Sequence, residues 1–150
     1  MKITFGEHCL RGYELSDLDA LVKYANNKKI SLLLRDQFPF PYTRVDAENW
    51  LMQACNQHTE TNFAIANNQE LIGAIGINPQ EDVNRFSAEI GYWLGEPFWG
   101  KGIITDAVKI FTRYVFENFD LNRIFANVFE GNIASEKVLL KVGYKIGLDM

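Results

Sequence analysis

The sequence predicts a mixed α/β (α+β) domain in which an antiparallel meander leads into a strand–helix–strand–helix–strand run. Three observations point there. Asn62–Ala66, Leu71–Ile77 and Ser87–Leu94 read as strands, the first two joined by the turn-type run Asn67-Asn68-Gln69-Glu70. Residues 102–118 then carry Ile104, Ala107, Val108, Phe111 and Val115 on one helical stripe. Beyond them extended and helical patterns alternate again, as they do where helices cover a sheet. The 150 residues amount to one domain, 1–150, long enough to bury roughly 70% of its unfolded surface without disulfides or a metal.

The elements follow in order. Lys2 to Glu14 reads as one strand or as two short extended pieces around Gly6. Ser16 stands where it can cap the next helix, with Asp19 in an acidic first turn. Leu18, Leu21, Val22 and Ala25 share a face, and Asn26-Asn27 stops that helix. Lys28 to Asp36 predicts a second short helix. In Phe38-Pro39-Phe40-Pro41-Tyr42 each proline drives its predecessor into extended geometry, which excludes a helix. Thr43-Arg44-Val45-Asp46 reopens one, with Ala47, Trp50, Leu51 and Ala54 as its apolar face. Asn78-Pro79 ends the second strand of the hairpin. Arg123–Phe129 alternates as a strand buried on both faces. Asn132–Lys141 is a helix closed by Gly143 in a left-handed cap, and Tyr144 to Leu148 starts a further strand.

Composition removes several function classes. The net charge of −4 disfavours a nucleic-acid surface and suits a cationic or amine partner, so no DNA is expected. Cys9 and Cys55 make no CxxC, and His8 and His58 are the only histidines, so no zinc template fits and no metal is expected. Two reduced thiols and a start without a signal-type apolar stretch suit a cytoplasmic protein. No apolar run approaches the ~18 residues of a membrane span. The 11 Phe, 6 Tyr and 3 Trp promise a dense core or a lined cleft. Phe111, Tyr114, Val115, Phe116 and Phe119 read as core.

The chemistry concentrates in Ser87-Ala88-Glu89-Ile90-Gly91-Tyr92-Trp93-Leu94-Gly95-Glu96-Pro97-Phe98-Trp99-Gly100-Lys101-Gly102. A strand enters a loop with two close glycines, and a helix begins at once. Helix N-termini offer free N–H groups and a positive dipole end to phosphate. Gly100 and Gly102 let the backbone approach an anion, and Thr105 adds a hydroxyl in the first turn. A P-loop, GxxxxGK[ST], fits from Gly95 to Lys101, but Gly102 stands where the magnesium-binding hydroxyl belongs. A Rossmann fingerprint lacks its third glycine, since Thr105 follows Gly100-Lys101-Gly102. Two readings stay open: the pyrophosphate loop of acetyl-CoA enzymes, and a turn that merely requires glycine.

Ala88-Glu89-Ile90-Gly91-Tyr92-Trp93-Leu94, followed by Trp99-Gly100-Lys101-Gly102 and Thr105-Asp106-Ala107, resembles the acetyl-CoA motif of the GNAT superfamily of N-acetyltransferases. The branch it looks like is the RimJ/RimL type, whose best-known members acetylate protein N-termini. Asn132-Ile133-Ala134-Ser135 with Lys141-Val142-Gly143-Tyr144 is similar to that branch's NxxS…KxG(F/Y) helix. Phe38-Pro39-Phe40-Pro41-Tyr42-Thr43 with Asp46-Ala47 and Trp50 is similar to the loop and helix beside its acceptor cleft.

The resemblance implies the GNAT fold: a mixed central sheet with an antiparallel N-terminal meander, flanked by helices and splayed at the acetyl-CoA strand. It implies acetyl-CoA as co-substrate and an amine as acceptor. Trp99, Gly100, Lys101, Gly102, Ile103, Ile104 and Thr105 would form the cofactor loop, with backbone N–H groups from Gly100 through Thr105 on the pyrophosphate. Trp93 and Leu94 would lie where the strand splays, the N–H near Leu94 polarising the thioester carbonyl. Asn132 would bond the pantetheine or the acceptor, and Ser135 would protonate the leaving thiolate. Many GNAT members place a Tyr four residues further on; here Leu139 stands there. Pro97 replaces the usual Gln or Arg of (Q/R)xxGxG, and Asp106 a common Glu. Phe38, Tyr42 and Trp50 would line the acceptor cleft, or Tyr42 and Trp50 would pack as a staple under the proline loop.

Glu89 is the expected base, since the attacking amine must lose a proton; an exposed strand residue or a salt-bridge partner is its other reading. His58 is the other group that titrates in a suitable range. The acceptor expected is a protein or peptide N-terminal α-amine. A small amine of polyamine type and a non-catalytic CoA-binding module on the same fold are the alternatives. After Gly143 only Tyr144–Met150 remain, where the family pattern asks for more strand. The final strand is therefore expected to be missing, and the edge left open favours a homodimer.

Overall fold

The computed structural model describes residues 2–33, 39–57, 60–81, 85–126 and 133–144. The N-terminal segment resolves into two pieces, β1 (Lys2–Phe5) and β2 (His8–Arg11), folded back on each other about Gly6. β3 (Asn62–Ala66) and β4 (Leu71–Pro79) form the expected hairpin. Its turn is held by the Asn67 carboxamide oxygen, which accepts the N–H groups of Gln69 and Glu70 at 2.9 and 2.8 Å. β5 (Ser87–Leu94) pairs antiparallel with β4 and parallel with β6 (Arg123–Phe125). The sheet runs in the order β1-β2-β3-β4-β5-β6, mixed and meander-first as the sequence predicts.

Helices cover both faces. α1 (Leu18–Ala25) packs on α3 (Arg44–Ala54) and on β4, with α2 (Lys28–Leu33) between them in sequence. α4 (Ile103–Asn118) packs on α5 (Ile133–Val142), β2 and β4. Side-chain alternation along β5 assigns the faces. A Cβ on Gly95 would meet the Tyr24 ring of α1, so Trp93, Gly91 and Glu89 share the face under α1 and α3. Phe63, Ile75 and Tyr92 lie on the other face. There Phe63 meets the rings of Phe111 and Tyr114, at 5.7 and 5.8 Å. The Phe111 cluster is core, as expected, and a phenylalanine buried this way contributes about 1.5–3 kcal/mol.

Several local expectations change. Ser16 does not cap α1. The chain enters through a 3-10 turn, Leu15–Asp17, and Asp17 accepts the Glu14 N–H at 2.8 Å. Asp17 also takes a two-pronged bond from the Arg11 guanidinium at 2.7 and 2.9 Å, and is only 4% exposed. A charge-assisted pair outweighs a neutral hydroxyl cap, so Ser16 falls inside the 3-10 turn and α1 starts at Leu18, with Asp17 as its N-cap. Thr43 does cap α3: its hydroxyl accepts the Asp46 N–H, and the Asp46 carboxylate accepts the Thr43 N–H. β4 runs two residues beyond its expected end. Gln80 N–H bonds the Ser87 carbonyl, so at the neighbouring Pro79 the missing N–H faces away from β5, where β3 has ended.

The expected helix 28–36 is seen as Lys28–Leu33, and the expected strand 123–129 as Arg123–Phe125; residues 34–36 and 127–129 lie outside the described ones. So do residues 145–148 of the expected last strand. Gly143 closes α5 with φ +117, its N–H and that of Tyr144 returning to the Leu139 carbonyl. Tyr144 is buried, its hydroxyl 3.1 Å from Thr112 Oγ1.

Candidate active site

The site begins along the far half of β5. Among the described residues its pairing with β6 runs to Glu89↔Phe125, and β5 continues to Leu94. Gly95 N–H bonds the Ile72 carbonyl at 2.8 Å, continuing the β4 ladder by one step. Antiparallel ladders alternate, so the N–H and C=O of Leu94 and of Tyr92 point away from β4, toward the β6 side of the strand. The Leu94 carbonyl is taken by the Trp99 indole N–H at 2.7 Å. That bond folds the loop back on the strand end and leaves the Leu94 N–H as the donor facing the opening.

A 3-10 turn, Glu96–Phe98, carries the chain from β5 to the glycines. The Glu96 carboxylate accepts the Lys29 ammonium and the Asn27 carboxamide, each at 2.8 Å. These two bonds, the lysine's first, hold the Glu96 carboxyl below its ordinary range. Gly102 is the N-cap of α4 at φ +78, with no side chain capping the helix, and Gly100 sits at φ +77. A left-handed N-cap turns the first N–H groups of a 16-residue helix outward together. A Cβ at Gly100 or Gly102 would meet nothing within 4 Å. The glycines are therefore required by backbone conformation, not by packing, and the space before them is open. Uncapped N–H groups, open space and the adjacent Lys101 fit a pyrophosphate; Ile103, Ile104 and Thr105 supply the next N–H groups.

On the other side of β5 lies a cavity of about 520 Å³ between α3 and the β4–β5 pair. It brings together Tyr42, Trp50, Glu89 and Trp93, four residues that the sequence assigns to chemistry or binding. Glu89 is half-buried, in register with Asn78. Asp46, Asn49 and Gln53 join Trp50 on the α3 wall at helical spacing, and Asn62 and Asn78 face them from the strands. Tyr42 is 5% exposed, and its N–H bonds Asn26 Oδ1 at 3.0 Å; burial pushes its phenol pKa up to about 12. Trp50 stands edge-on to Tyr13 at 5.9 Å. Both rings therefore pack against neighbours and line the cavity.

Ser135 is brought to β5 from α5. Its Oγ lies 2.7 Å from Tyr92 Oη. Tyr92 lines the cavity as well, and its pKa is raised by burial, the bond to Ser135 working the other way. Sequence reasoning missed Tyr92. The available signal was alternation, which sets it on the face opposite Glu89; its partner lies 43 residues further on. The carboxamides of α3 were missed too, although Asn49 and Gln53 are one turn apart beside Trp50. Leu139 is fully buried. Phe38, His58 and Asn132 lie outside the described residues. Among the described residues no helix is long and apolar enough to cross a membrane.

An uncapped, glycine-entered helix at the far end of β5 suits a ligand that carries phosphate. Residues 8–145 match the acetyltransferase (GNAT) domain family. The chain belongs to the GNAT acetyltransferases, with acetyl-CoA as co-substrate. It is 32% identical over 142 residues to an uncharacterized N-acetyltransferase, p20, of Bacillus licheniformis, covering 91% of this chain and 78% of that one. It is 37% identical over 82 residues to the ribosomal-protein-serine acetyltransferase of Escherichia coli, covering 55% of this chain and 45% of that protein. The fold superposes on RimL, a ribosomal L7/L12 α-N-protein acetyltransferase in complex with coenzyme A. The TM-score is 0.82 at 22% identity, over 97% of this chain and 84% of that one.

Proposed function

We propose that this N-acetyltransferase moves acetyl to the α-amine of a protein or peptide N-terminus. The observation that carries the reading is the cavity, which sets Glu89 among carboxamides, Asn49, Gln53, Asn62 and Asn78, beside the open end of β5. A peptide presents an amine followed by backbone N–H and C=O groups, and carboxamides both donate to and accept from such groups. The names of the relatives support the same acceptor: one acetylates a ribosomal protein serine, another a ribosomal α-N-terminus.

The residues divide the work. Backbone N–H groups from Gly100 through Thr105 hold the pyrophosphate. The Leu94 N–H donates to the thioester carbonyl oxygen, where negative charge develops during attack. Glu89 takes the proton of the acceptor ammonium, directly or through water, so that the neutral amine attacks. Ser135 returns a proton to the departing sulfur. Tyr42 and Trp50 form the wall against which the acceptor's first side chain rests.

Asp46 and Glu89 in one cavity, with the net charge of −4, favour a second reading: a small polyamine, which would meet two carboxylates. Thiol release with acetyl-CoA, measured against N-terminal peptides and against polyamines, separates the two. Higher kcat/KM on peptides is expected, reduced by Asn49→Ala or Gln53→Ala. Turnover on polyamines alone refutes the peptide acceptor, and CoA binding without turnover on any amine makes the chain a binding module.

A further inference from the structure

The phenol of Tyr92 bridges two elements that the sheet leaves apart. Tyr92 lies three positions beyond Glu89, the last residue of β5 paired with β6 among the described residues. From there its Oη reaches the first turn of α5, 2.7 Å from Ser135 Oγ and 3.4 Å from the Ser135 carbonyl oxygen. We infer that Tyr92 is a positioning residue for the transfer step, holding the Ser135 hydroxyl so that its proton is directed at the departing sulfur. The inference rests on the proposed role of Ser135 as the acid.

A serine hydroxyl carries one hydrogen and two lone pairs. In a helix it tends to turn toward nearby backbone carbonyls, where its proton serves no chemistry. Either hydroxyl can donate across the 2.7 Å contact; when the phenol O–H is given to Oγ it occupies one lone pair and fixes the direction of the serine O–H. Tyr92 can be that donor throughout the neutral range, because burial raises its pKa above the ordinary 10.0. The same bond stabilises Oγ as its proton leaves. Glu89 cannot substitute, since alternation sets it on the opposite face of β5. Leu139, buried on the same helix, has no polar atom to offer.

The balance closes without a further reagent. As the C–N bond forms and the C–S bond breaks, the sulfur takes the Ser135 hydroxyl proton. The nitrogen's second proton, lost as the C–N bond forms, passes through water to restore the Ser135 hydroxyl, and the proton taken from the ammonium at Glu89 is released to bulk water.

Tyr92→Phe keeps the ring and deletes the bond. With acetyl-CoA and the best amine found, kcat should fall about 10–100-fold, the cost of a mispositioned acid. CoA affinity by calorimetry and the melting temperature should stay near wild type. Ser135→Ala should show a similar loss, and Tyr92→Phe/Ser135→Ala no more than Ser135→Ala alone. Losses that multiply in the double variant, or a Tyr92→Phe that keeps more than about half of kcat, overturn the inference. A wild-type chain that releases CoA with no amine overturns the acetyl-transfer reading itself, a different result from an active enzyme indifferent to Tyr92.

Discussion

Replacing Gly102 by Asp sets a carboxylate in the open space in front of α4, where the loop is expected to hold pyrophosphate. The protein itself tolerates the change. Beyond its chain neighbours, no described residue comes within 4 Å of the added Cβ, so the cost is that of a left-handed φ of +78. That strain is about 1 kcal/mol, less for Asp or Asn than for most residues, so the melting temperature should drop by only roughly 2–4 °C. Binding should suffer far more. A carboxylate about 5 Å from one phosphate charge, at an effective dielectric near ~20, is repelled by about 3 kcal/mol, roughly 100–300-fold in Kd. Gly102→Asn has the same shape and no charge. It should lose only what space and strain demand, and the Asp–Asn gap should shrink at about 1 M salt, where screening reaches within ~3 Å. Calorimetric titration with CoA, beside thermal unfolding of the free protein, reads both effects. A folded Gly102→Asp that binds CoA within about threefold of wild type, under ~0.7 kcal/mol, would refute the pyrophosphate assignment.

Three further outcomes follow from the same geometry. Glu89→Gln should lower kcat by about 10²–10⁴-fold with CoA affinity retained, the usual share of a general base; stopped thiol-release assays on the best amine decide it. Asp17→Asn should cost about 3 kcal/mol in urea unfolding, because it strips the partner from Arg11 at a residue 4% exposed. Alkaline pH should unfold the chain through its buried phenols. Burial pushes Tyr42 and Tyr144 from 10.0 up to about 12 and raises Tyr13 as well. The folded state therefore holds these protons longer, and their contribution is complete below pH 10. It is lost between pH 10 and about 12, at about 1.4 kcal/mol per pH unit for each group. Denaturant midpoints that stay flat across that window, followed with phenolate absorbance, would contradict the burial of these rings.

Much of the fold and part of the site were legible from local sequence alone. The β5 boundaries, the hairpin turn at Asn67, the Thr43–Asp46 capping box and the left-handed close at Gly143 all depend on residues within a few positions of one another. Their backbone preferences act before any tertiary contact exists. The spacing of Gly100 and Gly102 before an apolar helix belongs to the same kind, because a helix start needs only its own N–H groups and the residues that leave them open. The error at Ser16 marks the limit of that logic. A local cap looked sufficient, but Arg11, delivered by β2, drew Asp17 into the buried position instead.

What the sequence by itself determined, then, is the order and period of the elements and the glycine-entered turn that joins β5 to α4, since these follow from near-neighbour sterics and hydrogen bonding. What only the tertiary structure decided is which side chains meet. Three meetings show it: Glu89 in one cavity with Trp50 and the α3 carboxamides, Trp99 on the Leu94 carbonyl, and Tyr92 on Ser135 across 43 residues. Each depends on how β5 sits in the sheet and on how α3 and α5 lie against its two faces. Those are properties of packed layers, which no local pattern carries.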